Sequence, residues 1–523
     1  MNGGTGKITK LGFGAAGGGG GGGVASITTV RRASAQQFDA RPGIAYDIYA
    51  TNTWYFFQFA VASNGKTSWK EILGSGGNHL HVDAWSMAFP SGYDPPNGHC
   101  TAYASNDGGI DINNTSGATS CDPTSGWVGA MSGLHVLETY TIAGVSQASP
   151  QPGCSASSPC PTLYLANGDN DVWETSGSQS GPIHSGNDAG QVYVDPAYPQ
   201  QLFFAFGKSL DVARSATGSA PLPGATLTDV TPKNWVPGPV ASCSGCWGPG
   251  IANTVQAMAL SSETESAATY FALQRPSIAP DGIVTATISG SAAPTWTAVE
   301  TGNAKGLLGD DVLQLKASGG ITNPILWVVT GHGKVFQGSV VNGQVAQWVS
   351  VSGGGSTGIG EARALFVNPY DSRYAWVLDR KDPSTNAPSI KATSDGGGSW
   401  TTADTLKNIA TNGGEFRFGG SDNLFDWTCS LAWMSFSRQH PNIAVAALFP
   451  GGVAYSNSSG QTWAVLPDVT SGPTPAPANN LRGYPIAVWY DDNPLFGKPS
   501  IYVSLHSNRT LRVDGDFDAL PEQ

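Results

Sequence analysis

Charge is scarce in this chain: Asp, Glu, Lys and Arg together make up 12% of its 523 residues. The basic residues do not cluster, and they are outnumbered 26 to 38 by acidic ones, leaving a formal net charge of −12. Binding a phosphate backbone requires a concentrated basic surface that displaces counterions, so nucleic acid is not an expected partner. Also missing is any run approaching the roughly 18 apolar residues that span a bilayer, and residues 1–24 hold no apolar segment of the signal-peptide kind. A membrane-spanning chain is therefore not expected, and export is not legible at the N-terminus.

Cysteine is sparse as well, with seven residues. Cys243 and Cys246 form a CxxC pair, but no second CxxC and no HxxxH accompanies it, and a structural zinc site needs four ligands. No metal or other cofactor is expected. Cys154 and Cys160 flank a Ser/Pro-rich loop, and Cys243 and Cys246 a Gly/Pro-rich one, where local disulfides staple long insertions. Cys100 and Cys121 are a third candidate pair, which leaves Cys429 as a buried thiol. This usage points to an oxidising compartment, hence a secreted or cell-surface protein.

What the chain has in quantity is turn formers and aromatics: 69 Gly, 35 Pro and 16 Trp, with 40% hydrophobic residues. Long helices are not expected, yet there is ample apolar surface for a core. A unit of about 40 to 55 residues recurs: an alternating apolar strand, a loop with Pro or Asn, a second strand, then a polar turn. Trp85-Ser-Met-Ala-Phe89 precedes Thr101-Ala-Tyr-Ala104, and Val192-Tyr-Val194 precedes Leu202-Phe-Phe-Ala-Phe206. Ala364-Leu-Phe-Val367 with Tyr374-Ala-Trp-Val377, Leu431-Ala-Trp-Met-Ser-Phe436 with Ile443-Ala-Val-Ala-Ala447, and Pro485-Ile-Ala-Val-Trp489 with Ser500-Ile-Tyr-Val-Ser504 follow the same plan.

This rhythm predicts an all-β fold, a single β-propeller of about eight or nine four-stranded blades over residues 23–523. Stacked β-sandwiches are the competing architecture. Residues 1–22, with a seven-glycine run at positions 17–23, form a lead-in whose segment 6–12 is a candidate closing strand for a last blade lacking its outer strand.

The turn Thr393-Ser-Asp-Gly-Gly-Gly-Ser-Trp400 resembles the Asp-box, Ser/Thr-x-Asp-x-Gly-x-Thr/Ser-Trp. Ser456-Asn-Ser-Ser-Gly-Gln-Thr-Trp463 is a second copy with Ser458 in place of Asp, and residues 63–69 are a shortened third. Gly permits the left-handed turn and the carboxylate or hydroxyl bonds nearby amides, so Asp395 reads as a staple rather than a catalyst. With Ala104-Ser-Asn-Asp-Gly-Gly-Ile110 and Gly186-Asn-Asp-Ala-Gly-Gln-Val-Tyr-Val-Asp-Pro196, these turns make the chain similar to bacterial-neuraminidase-repeat propellers, sialidase-like, xyloglucanase-like and sortilin-ectodomain-like. The resemblance implies fold more strongly than function, because such blades serve hydrolases and pure binding proteins alike.

Candidate functional residues are polar groups just before inner strands, which gather around a propeller's axial channel. Asp83, Asp188 and Asp311 are the candidate catalytic carboxylates. His81 joins them, because His79, His81 and Asp83 alternate onto one strand face. Asp310, Glu361, Asp422 and Asp426 occupy comparable positions. Trp85, Trp427 and Arg482 are candidate substrate contacts, flat rings suiting sugar faces. The leading expectation is a carbohydrate-active propeller binding polysaccharide or glycan, a glycoside hydrolase in its enzyme form. The alternative is a non-catalytic propeller for adhesion, protein binding or surface assembly with other surface proteins, and a third reading is a polysaccharide lyase using His81.

Overall fold

In the computed structural model, the described residues are the strands and their immediate flanks between positions 24 and 517, with the longest continuous stretches at 324–414, 430–449 and 452–466. They form nine antiparallel sheets: seven of four strands, one of five and one of three. Seven residues, Asp404–Ala410, make an α-helix. Among the described residues no helix is long and apolar enough to cross a membrane. Each sheet is a meander in which consecutive strands pair, as propeller blades require, except that in the five-stranded sheet Val349–Ser350 pairs with Val335–Val341. The strand pairs expected from the apolar runs are all present, for instance Ala362–Val367 against Ala375–Asp379 and Pro485–Asp491 against Ser500–Leu505.

The chain divides into two compact units, Met1–Val136 and Leu137–Gln523. The first holds two sheets, whose first strands are Val24–Arg31 and Ala84–Ala88. The second holds seven, and their first strands are labelled here β1 (Thr139–Val145), β2 (Ala189–Asp195), β3 (Leu260–Ser261), β4 (Val312–Ser318), β5 (Ala362–Val367), β6 (Ser430–Phe436) and β7 (Pro485–Asp491).

Seven apolar clusters join these seven sheets, one at each junction. The β1 and β2 sheets share Tyr164, Val192 and Phe204, and the next junction stacks Phe203 on Tyr270 at 4.2 Å between ring centroids. Successive junctions bury Phe271 with Leu326, Trp327 with Leu365, Phe366 with Met434, and Val445 with Val488. The last cluster, Ile142, Leu163, Leu165, Ala487 and Tyr502, joins the β7 sheet to the β1 sheet, so the cycle returns to its start. Unit 2 is thus a closed ring of seven blades. The β7 sheet has three strands, Thr510–Asp514 outermost, as the repeat count anticipated; the proposed closing segment 6–12 lies outside the described residues.

A hydrogen bond repeats between inner strands. The Val192 amide donates to Thr141 Oγ1 (3.0 Å), the Leu365 amide to Gln314 Oε1 (2.6 Å) and the Tyr490 amide to Ser435 Oγ (2.9 Å). The separations, 51, 51 and 55 residues, are the blade repeat itself. A buried inner strand cannot leave its outward amides unsatisfied, and a polar side chain from the preceding blade supplies the acceptor.

The two Asp-box-like turns are built alike. In residues 393–400, the amide of Gly397 donates to Thr393 Oγ1, while Ser399 donates to Asp395 through its amide (2.9 Å) and hydroxyl (2.7 Å). The Ser399 hydroxyl, helped by amides, holds the Asp395 carboxyl down to about 2. In residues 456–463 Ser458 Oγ accepts the Thr462 amide at 2.9 Å, so a hydroxyl takes the carboxylate's place. Trp400 and Trp463 are buried, each donating its indole N–H to a backbone carbonyl. Asp395 is a turn staple in this geometry.

Candidate functional site

Asp83, Asp188, Asp311, His81, Trp427 and Arg482 lie outside the described residues, as do Cys100, Cys121, Cys154, Cys160, Cys243, Cys246 and Cys429. Trp85 falls in the strand Ala84–Ala88 of the first unit, where only its backbone is described. Of the other strand-start candidates, Glu361 is described: its carboxylate pairs with Arg363 and, at 3.5 Å, with Arg380, a local ion cluster. His184 lies 6.0 Å from the Phe204 ring. Among the described residues, no three His, Cys, Asp or Glu side chains stand together as a metal site.

The described cavity lies instead at the later halves and exits of the inner strands of unit 2. It has a volume of about 560 Å³ and draws its wall from β1, β2, β4, β5, β6 and β7. Six of seven inner strands contributing to one cavity identifies it as the axial channel of the ring.

Two indoles dominate the wall, Trp433 on β6 and Trp489 on β7. Trp489 stacks on Tyr502 (5.2 Å, 27°) and lies flat on β1 at Gly144, where a Cβ would fall inside the Trp489 ring. Glycine at 144 therefore lets the ring-closing tryptophan sit beside the channel. The lining also takes in Val192, Val194, Val367 and Met434, which are buried in the junctions between sheets, and the polar residues Gln191, Tyr193, Ser435 and Gln439.

Lys316, on β4, is the buried cation of this wall, with 9% of its surface exposed. Its ammonium lies 5.6 Å from the centre of the Trp433 ring, within cation–π range. The sheets of β4 and β6 are separated in the ring by that of β5, so this contact reaches across the channel side. Burial pushes the Lys316 amine down to about 7.

The described carboxylates of the wall are Asp491 and Asp492, neighbours at the end of β7. Asp492 accepts the Ser437 hydroxyl and the Arg438 amide (2.8 Å), fastening the loop after β6 to the end of β7. Arg438 itself is exposed at the channel mouth, near the exposed ring of Tyr370.

The candidates named from the sequence stand before the inner strands, whereas this cavity is lined by the later halves and exits of those strands. Trp433 and Trp489 stand inside two apolar runs that read as strands, but not at equivalent places, since the repeat that sets Tyr490 on Ser435 sets Trp489 against Met434. Nothing local marks Lys316: a lone Lys in Leu-Gln-Leu-Lys-Ala-Ser reads as an outward residue of an alternating strand.

No protein-family model matches the chain, and no curated protein matches it. Among solved structures, YCF48 from Cyanidioschyzon merolae is similar at 12% identity and a TM-score of 0.43, covering 72% of this chain and 96% of its own. A structure of YCF48 bound to D1 peptide is similar at 13% identity and a TM-score of 0.39, covering 68% of this chain and 88% of its own.

Proposed function

We propose that this chain is a non-catalytic binding propeller whose unit 2 channel takes up a segment of a partner protein. The observation that supports the reading is the composition of the described channel wall: two partly buried indoles, Trp433 and Trp489, with the described carboxylates on one strand end. Glycoside hydrolysis needs two carboxyl groups facing each other across the sugar, one to protonate the leaving oxygen and one to act on the opposite side. Asp491 and Asp492 are adjacent on one strand, and Asp492 is committed to the loop after β6, so this pair does not supply that arrangement.

The same wall argues for protein over polysaccharide. A sugar presents hydroxyls around its whole rim, and any pressed against the Trp433 or Trp489 ring would lose its hydrogen bonds to water without replacement, at about 1–3 kcal/mol each. Apolar side chains of a peptide bury there at a gain. The volume, about 560 Å³, is that of a few residues rather than a folded domain.

The test is a displayed peptide library run beside a polysaccharide panel scored for retention and released reducing ends. Enrichment of peptides that compete for one site and lose affinity in Trp433→Ala and Trp489→Ala supports the reading. Release of reducing ends by the wild type, abolished by a carboxylate substitution with the fold intact, would replace it with the hydrolase.

A further inference from the structure

Five described tryptophans use their indole N–H inside the chain: Trp296, Trp400 and Trp463 donate to backbone carbonyls, Trp327 to the Ser318 hydroxyl and Trp348 to the Glu300 carboxylate. That of Trp376 is buried. Trp433 and Trp489 differ from all of these. Both rings are partly exposed in the channel wall, and neither N–H is buried or bonded among the described residues. Trp489 rests its six-membered ring on β1, the atoms nearest a Cβ at Gly144 being Cζ3, Cε3 and Cη2, and it stacks on Tyr502. The five-membered ring with its N–H is the opposite end of that indole. Trp433 meets the Lys316 ammonium over its ring, a contact with the face that leaves the in-plane N–H to another group. The two donors therefore stand on adjoining inner strands, β6 and β7.

An indole nitrogen is a donor only, so both positions call for acceptors. Every peptide segment carries acceptors in its backbone carbonyls. An ordinary residue also brings an N–H, however, and an N–H laid against these rings loses its hydrogen bond to water. Among the described side chains of the wall few acceptors answer it. The Ser435 hydroxyl accepts the Tyr490 amide, and Asp492 accepts Ser437, Arg438 and Gln439. Lys316, Asp491 and Gln191 each engage other groups of the chain as well, and none of them is asked to hold the ligand.

Proline meets both conditions: it keeps its carbonyl, has no N–H and presents an apolar ring. A run of prolines lies in the polyproline II helix, which makes no internal hydrogen bonds and leaves its carbonyls to outside donors, so little ordering remains to be done on binding. Aromatic-lined grooves take such segments. The exposed ring of Tyr370 carries the aromatic surface of this channel to its mouth.

We infer that the partner segment taken up by the channel is proline-rich, its backbone carbonyls accepting the indole N–H groups of Trp433 and Trp489. This rests on the binding reading above and names the chemistry of the partner.

The full chain, isotope-labelled at its tryptophan side chains, is titrated by NMR with acetyl-Leu-Pro-Pro-Leu-Pro-amide and with its alanine counterpart, acetyl-Leu-Ala-Ala-Leu-Ala-amide. Trp433→Phe and Trp489→Phe keep an aromatic ring and remove the N–H, so they assign the two indole resonances, and both titrations are repeated on them. The proline peptide is expected to move both resonances in the direction of hydrogen bonding and to bind about tenfold or more tightly than the alanine peptide. Each Phe variant should weaken it about 2- to 10-fold, the loss of one neutral hydrogen bond. Comparing the two peptides on the unmodified protein keeps the preference independent of the variants folding.

Equal binding of the two peptides, or binding of the proline peptide with neither resonance moved, would overturn the proline inference. The binding reading would still stand if the displayed library yields other peptides that compete for the channel. Failure of both peptides to bind at about 10 mM would also overturn the inference, and the library would then decide the binding reading alone.

Discussion

Replacing Lys316 with methionine should make the protein more stable, because burial disfavours its charged form. Its amine falls from an ordinary value of 10.5 to about 7 on burial, and each pH unit of such a difference corresponds to about 1.4 kcal/mol. Holding the ammonium inside the wall below pH 7 therefore costs on the order of 5 kcal/mol, from which the lost Trp433 contact subtracts about 1–2. A gain of about 3–4 kcal/mol is expected for Lys316→Met at pH 6. The dependence on pH has a definite sign. Below pH 7 the lysine is charged in both folded and unfolded chains, and the cost is present in full. Between pH 7 and about 10.5 the unfolded chain binds the extra proton, so wild-type stability rises with pH; above that the cost is gone. The other described titratable or charged groups on the wall are Asp491, Asp492, Arg438, Tyr193, Tyr370 and Tyr490, and they are common to the two proteins compared. Urea unfolding at pH 6, 8 and 10 reads this directly: the advantage of Lys316→Met should shrink as pH rises. A variant less stable than wild type by the same amount at every pH would refute the reasoning and make Lys316 a structural residue.

Gly144→Ala should destabilise the ring by about 1–3 kcal/mol through overpacking, and it should change Trp489 near-ultraviolet circular dichroism, since the added methyl occupies the place of that indole. Asp395→Ser should cost less than Asp395→Ala, for which about 1 kcal/mol is expected, because Ser458 performs the same task in the second turn. The Asp395 contribution is present above its unfolded value near 4 and is lost as pH falls toward about 2, a loss absent from Asp395→Ser and read by acid unfolding of the two proteins. A fragment covering residues 137–523 should melt cooperatively on its own, since seven apolar junctions close its ring; differential scanning calorimetry checks this.

The fold was legible because it is written in repetition. Alternating strands such as Ala-Leu-Phe-Val and Ile-Ala-Val-Trp each announce a blade, and the turn at 393–400 declares its geometry through residues that must occupy a left-handed or hydrogen-bonded position, Gly396 and Gly397 at positive φ among them. The closing of seven sheets into a ring was less legible, because it depends on which clusters meet: Ile142 and Ala487 lie at opposite ends of unit 2 in sequence. The channel wall was not legible for a related reason. Polar residues before strands advertise themselves by composition, whereas Lys316, Trp433 and Trp489 acquire meaning only when β4, β6 and β7 turn toward one axis. Alternation tells which residues share a strand face, not which face borders the channel.

The central claim, that the unit 2 channel is a binding site for protein segments, is tested most directly by mapping where an enriched peptide sits. Peptides from the library, carrying a photoreactive phenylalanine analogue, are crosslinked to the full chain and the adducts located by mass spectrometry. The account predicts adducts on channel residues such as Trp433, Trp489 and Tyr490, lost on competition with unlabelled peptide. Specific adducts confined to residues outside the channel, with affinity unchanged in Trp433→Ala and Trp489→Ala, would contradict it.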